Sequence, residues 1–107
     1  MSISKIEKII FIGGNRYGEN GPLISFIQET IKKNIPMLLL TDLEHLSYPT
    51  KDKGKFKDAI KNLNIPFEIK ENINFDSIKK FYTQNTLIIS VNSHIIFKKD
   101  LIDFVAN

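Results

Sequence analysis

Four short apolar runs constrain this chain more than any other feature. They lie at 8–14 (Lys-Ile-Ile-Phe-Ile-Gly-Gly), 37–42 (Met-Leu-Leu-Leu-Thr-Asp), 65–70 (Ile-Pro-Phe-Glu-Ile-Lys) and 86–91 (Thr-Leu-Ile-Ile-Ser-Val). The first, second and fourth are apolar almost throughout and read as strands covered on both faces. The segments between them carry a helical period instead. After Gly21-Pro22, Leu23, Ile27 and Ile31 recur at i, i+4 and i+8, which predicts a helix over 22–33 with proline in its first turn. Asn34 is its stop, and Pro36 prevents resumption. Phe56, Ala59, Ile60 and Leu63 predict a second helix, and Ile78, Phe81 and Tyr82 a third over 75–82. Leu101, Ile102, Phe104 and Val105 predict a last short helix over 99–105. Residues 43–55, with Pro49 and Gly54, read as a long irregular loop.

Strands that alternate with helices imply βαβ units. The expected fold is therefore α/β: a Rossmann-like parallel sheet of four strands with helices on both faces, three layers in all. The chain has 107 residues, 42% of them hydrophobic and 25% charged, which suits one small domain with a real core. Its net charge of +3 is mild, and the lysines are spread along the sequence, so the reading is solvated helix faces and no nucleic-acid partner. There is no cysteine, which removes disulfides, thiolate metal sites and cysteine nucleophiles from this chain. No apolar run approaches the roughly 20 residues of a membrane span, so no membrane partner is expected, and a cytoplasmic location fits.

In open parallel sheets, ligands bind beyond the carboxyl ends of the strands. Those ends are polar here: Gly13-Gly14-Asn15, Thr41-Asp42, Lys70-Glu71, and Ser90 through His94. The loop from Gly13 to Gly21 has two readings. Its glycines let backbone N–H groups approach an anionic ligand at the start of a helix, with Arg16 adding a charge-assisted contact. Equally, the glycines serve a tight turn. The dinucleotide pattern G-x-G-x-x-G fails on spacing, and the P-loop fails because Glu19-Asn20 stands where Lys-Ser/Thr is needed. Asp42 occupies the place of a Rossmann ribose-binding carboxylate, or it is solvated, or it caps the segment after it. His45 reads as a surface residue of the long loop, and His94 is better placed, directly past the fourth strand. No spacing supports a metal site, no serine sits in a nucleophile elbow, and no carboxylate pair offers acid–base work.

Three segments carry a family resemblance. NTLIISVNSHIIFKKDLIDFVAN (85–107), IIFIGGNRYGENGPLISFI (9–27) and NLNIPFEIKENIN (62–74) resemble the N-terminal half of the formyltetrahydrofolate-dependent formyltransferases. That family includes methionyl-tRNA formyltransferase, glycinamide ribonucleotide transformylase and the sugar N-formyltransferases. Phe97 departs from the pattern by standing where the family has proline. The resemblance implies formyl transfer from N10-formyltetrahydrofolate to an amine, an amino sugar of a nucleotide sugar being favoured. It places the pterin ring on Ser93, His94, Ile95, Ile96 and Phe97. It places a small, phosphate-bearing substrate on Gly13, Gly14 and Asn15, beside Arg16. The family's catalytic asparagine, histidine and aspartate lie on later elements, so no residue here is assigned a catalytic role. The expectation is a single Rossmann-like subdomain over 1–107, truncated before the catalytic motif and inactive alone. Its last strand would leave a sheet edge open to self-association. The alternative is a non-catalytic Rossmann-like module that binds a phosphorylated or nucleotide ligand, or that serves assembly.

Overall fold

A computed structural model describes residues 6–16, 18, 21–51, 54–93 and 95–100. The elements run in the order β1 (Lys8–Gly13), α1 (Pro22–Lys32), β2 (Met37–Thr41), α2 (Leu43–Ser47), α3 (Phe56–Leu63), β3 (Phe67–Ile69), β4 (Asn72–Ile73), α4 (Phe75–Ile78), β5 (Thr86–Val91) and β6 (Ile96–Phe97). The main sheet has four strands in the order β3-β2-β1-β5. Every pairing in it is parallel, with Ile10 opposite both Leu38 and Ile88. The Rossmann-like α/β fold expected from the sequence is the fold observed.

Because successive side chains of a strand point to opposite faces, β1 and β2 supply two cores. Ile9, Phe11, Met37 and Leu39 face one side, where Leu23 and Ile27 of α1 and Phe56 and Ile60 of α3 cover them. Ile10, Ile12, Leu38 and Leu40 face the other, under Ile73, Ile78 and Ile95. Both layers exclude water almost fully: Ile10, Phe11, Leu39 and Leu40 are 0% exposed. Burial of one large aliphatic or aromatic side chain contributes about 1.5–3 kcal/mol, so these two layers carry most of the folding drive.

Helix ends obey local chemistry. α1 begins at Gly21-Pro22 and ends where Asn34 adopts the left-handed conformation, φ 56°. α3 ends the same way at Asn64, also φ 56°. Asparagine tolerates that region better than other side chains of its size, which is why it stops both helices.

Three expectations need correction, and one further feature was not anticipated. The stretch 43–55 is not an irregular loop. α2 fills its first third, and the rest is closed by hydrogen bonds from Thr50 N–H to Gly54 O (2.7 Å) and Phe56 N–H to Tyr48 O (2.9 Å). A helix of one turn is too short to show a period. The helix expected over 75–82 stops at Ile78, and a turn carries Phe81 and Tyr82 to the core instead. The strand expected over 65–70 shortens to Phe67–Ile69, since Pro66 has no N–H for the ladder. Finally, β4 and β6 form a separate two-stranded parallel sheet that shares the second face with α4. The helix expected over 99–105 is described only at Lys99 and Asp100, which are helical; its remainder lies outside the described residues. Among the described residues, no helix is long and apolar enough to cross a membrane.

The chain steps from β1 to β2 to β3 with α1, α2 and α3 on one face. It then returns across the other face to β5, on the far side of β1. Between β1 and β5 the direction of winding reverses. Their carboxyl ends form the switch point at which parallel α/β sheets take ligands.

Candidate functional site

Two chain reversals meet at this switch point. β1 ends at Gly13, whose φ of +124° is one that L side chains rarely adopt. A Cβ there would lie 1.9 Å from Val91 O and 3.2 Å from Ser93 N. Gly14 N–H then donates to Val91 O at 3.0 Å. Two elements distant in sequence are thus in backbone contact at the switch point. On the β5 side, Asn92 turns the chain through a left-handed conformation (φ 50°), and Ser93 Oγ accepts from Ile95 N–H at 3.0 Å. On the β1 side, Asn15 is buried, and a Cβ on Gly21 would approach its Oδ1 to 3.4 Å, so its side chain lies against the start of α1. Arg16 is exposed. Gly18 N–H donates to Pro49 O at 2.9 Å, which ties the loop to the connection after α2.

The structure therefore brings together Gly13, Gly14 and Ser93, residues expected on the substrate and cofactor sides respectively. Ile95 differs in character from its neighbours: its side chain is 6% exposed and packs into the second-face core. Ile96 and Phe97 form β6, opposite Asn72 and Ile73. His94 lies outside the described residues.

His45, expected at the surface, is 1% exposed. Asp42 accounts for this. As the N-cap of α2, its Oδ1 accepts from His45 N–H at 2.8 Å, while its Oδ2 lies 2.7 Å from His45 Nδ1. An ionised carboxylate only accepts, so Nδ1 carries the proton and the ring is held in one orientation. That ring packs on the end of β1: a Cβ on Gly14 would come within 2.6 Å of His45 Cγ. An oriented carboxylate–imidazole pair is also the arrangement of acid–base catalysts. Here the ring is walled in by Gly14 and by Tyr48, whose ring meets it edge-on at 5.1 Å, so its role is to support the loop. Both oxygens of Asp42 are engaged, which argues against a ribose contact. The sequence signal that could have found this pair is Asp-x-x-His at a strand end, a side-chain cap with its own third residue as partner.

Tyr48 extends the cluster outward. Its hydroxyl donates to Glu44 Oε1 at 2.5 Å. That bond, with burial and the charges of Glu44 and Asp42, pushes its pKa from 10.0 up to about 12. Between those values the unfolded chain loses the phenolic proton and the folded chain keeps it. The contribution is therefore complete below pH 10 and is lost as pH rises toward 12. In a chain whose other two tyrosines are replaced by phenylalanine, tyrosinate absorbance is expected to rise late, and Glu44→Gln to return it toward the ordinary range. A titration already at the ordinary value would show that the bond is not kept in solution.

An open cleft of about 290 Å³ lies past the ends of β2 and β3, lined by Asp42, Glu44 and Glu71 with Leu43 and Ile69. Among the described residues, no group of three His, Asp or Glu side chains is placed to hold a metal ion.

Comparison with protein-family models, with curated proteins and with solved structures gives no match to this chain. The family resemblance thus stands on the quoted residues alone. The architecture is that of a generic Rossmann-like α/β domain able to take a ligand.

Proposed function

We propose that the switch point at the carboxyl ends of β1 and β5 binds a small anionic ligand, and that the chain forms the N-terminal half of a formyl-transferring protein. The observation that carries the first part is the hydrogen-bonded meeting of the Gly13–Gly14 loop with the Val91–Ser93 turn at the point of reversal. The second part adds the resemblance of those same two segments to the formyltransferases. The donor in this reading is N10-formyltetrahydrofolate and the acceptor an amino sugar carried on a nucleotide.

The residues at the rim fit such ligands in part. The exposed guanidinium of Arg16 suits a phosphate or a carboxylate. The half-buried hydroxyl of Ser93 keeps its own proton to donate while it accepts from Ile95. Ile95 is engaged in the core, so a pterin ring would rest on the backbone of the turn and not on that side chain. When bound, the donor would supply a formyl carbon for attack by the acceptor amine. This chain's contribution is to bind and orient, and the groups that move protons belong to other elements in the family it resembles.

Calorimetric titration with a stable formyltetrahydrofolate analogue, and then with nucleotide sugars, tests the reading. Saturable binding is expected, weakened about tenfold by Arg16→Ala, which corresponds to one charge-assisted hydrogen bond. Arg16 is exposed, so this substitution leaves the core untouched. Nucleotide binding without folate binding would favour the non-catalytic module. A folded chain that binds neither would remove the proposal.

A further inference from the structure

Lys55 stands at the N-cap of α3, and Lys57 and Lys61 lie along that helix. With Leu43, Leu46 and Ser47 of α2 and Phe67 and Ile69 of β3, they line a cleft of about 460 Å³. All three lysines are exposed, and among the described residues none lies within ion-pair distance of a carboxylate. Lys57 and Lys61 stand at i and i+4 on α3, a like-charge spacing that weakens a helix. The cleft between them and β3 has an apolar margin. Leu43 is 67% exposed and Ile69 47%, the two largest such values among the exposed large hydrophobic side chains. They also form the ridge that separates this basic cleft from the acidic one beside it.

Each feature taken singly is ordinary. Lysines are commonly solvated, and isolated exposed leucines need no explanation. Their coincidence is what selects a partner: an apolar ridge, three unpaired cations on one side of it, and three carboxylates on the other. We infer that the α2–α3–β3 cleft is a docking surface for an acidic amphipathic peptide segment of a partner protein. Its apolar side chains cover Leu43 and Ile69, and its carboxylates face Lys55, Lys57 and Lys61. The acidic cleft beyond the ridge repels the same segment and so fixes which way it lies. The cleft is large enough for a few side chains and too shallow to enclose a drug-sized molecule fully. The apolar ridge favours peptide over nucleic acid, whose backbone would leave Leu43 and Ile69 uncovered.

The inference goes beyond the reading of the β1–β5 switch point and does not depend on it. The test is fluorescence anisotropy with a fluorescein-labelled peptide of alternating glutamate and leucine, beside lysine–leucine and glutamate–serine counterparts. The first is expected to bind saturably and to weaken as salt rises. Lys57→Glu with Lys61→Glu is expected to weaken it about tenfold and to improve binding of the lysine–leucine peptide. Leu43→Ser should weaken the glutamate–leucine peptide while thermal unfolding stays as in the parent, since that side chain is exposed. Amide chemical shifts should move on α2, α3 and β3 and not at Arg16 or Ser93. The inference is overturned if the three peptides bind alike, if the double reversal changes nothing, or if a labelled single-stranded oligonucleotide binds this surface more tightly than the peptide.

Discussion

Gly13→Ala is expected to lower the stability of this domain by about 3–5 kcal/mol, near the upper end for a single substitution. Two effects add at one position. A φ of +124° is open to glycine and strained for alanine, at about 1–3 kcal/mol. The new methyl group would also lie 1.9 Å from the carbonyl oxygen of Val91, which is backbone and cannot rotate aside. Relief requires β1 and β5 to separate, and these strands share a parallel ladder from Lys8↔Thr86 to Gly13↔Val91. A domain of this size holds about 5–15 kcal/mol in all, so the melting temperature should fall by roughly 15–30 °C. Two other glycines serve as controls in the same thermal melts. At Gly18, φ is +76° and no atom of the described residues comes within 4 Å of a new Cβ, so alanine should cost about 1–2 kcal/mol. At Gly54 the nearest atom to a new Cβ is Thr50 Oγ1 at 3.9 Å, so the effect should stay within about 0.5 kcal/mol. Equal effects at Gly13 and Gly54 would mean that the close approach of β1 and β5 is wrong.

Gly14→Ala should destabilise for a different reason, and its dependence on His45 is the test. No backbone strain is involved. The obstacle is the imidazole, whose Cγ, Cδ2 and Cβ lie 2.6, 2.7 and 2.8 Å from the added Cβ. A flexible surface side chain would swing away, but this ring is buried and bonded to Asp42 Oδ2 at 2.7 Å. Overpacking of that kind costs about 1–3 kcal/mol. His45→Ala alone should cost about 2–4 kcal/mol, from the cavity it opens and the buried partner it takes from Asp42. In the double variant the overlaps with Cγ and Cδ2 are gone, and only the one with Cβ of residue 45 at 2.8 Å is left to relieve. The two costs should therefore fall short of additivity by about 1–3 kcal/mol in urea unfolding. Simple additivity would show that the ring does not rest on Gly14. The result also bears on any ligand test at this loop, because a bulky residue at Gly14 would disturb the support beneath the loop before it met a ligand.

Both predictions turn on what neighbours a glycine, which the sequence does not state. A run of glycines after an apolar strand is compatible with a ligand cradle and with a tight turn. In this fold the spaces left by the missing Cβ atoms of Gly13 and Gly14 are filled by Val91 and His45, so the chain's own packing already requires both glycines. The same limit applies to His45. Its position in a polar stretch suggested exposure, because local polarity is the only local evidence. Its burial comes from the one-turn helix that Asp42 caps, and from the place of β1 beside β2.

What the sequence determined by itself is the set of elements and their class. Short continuous apolar runs, a period of 3.6 residues, proline at the first turn of α1 and an asparagine stop at Asn34 are local properties, and they act over a few residues. The alternation of those elements then leaves a parallel α/β sheet as the consistent arrangement. The tertiary structure alone decided the rest. Strand order placed Val91 against Gly13, His45 beneath Gly14, and the lysines of α3 beside Leu43 and Ile69. It also paired Asn72–Ile73 with Ile96–Phe97, strands of two residues that are too short to show any period. A hydrophobic pattern records that a face is buried, but not what buries it; that is fixed only when elements remote in the chain come together.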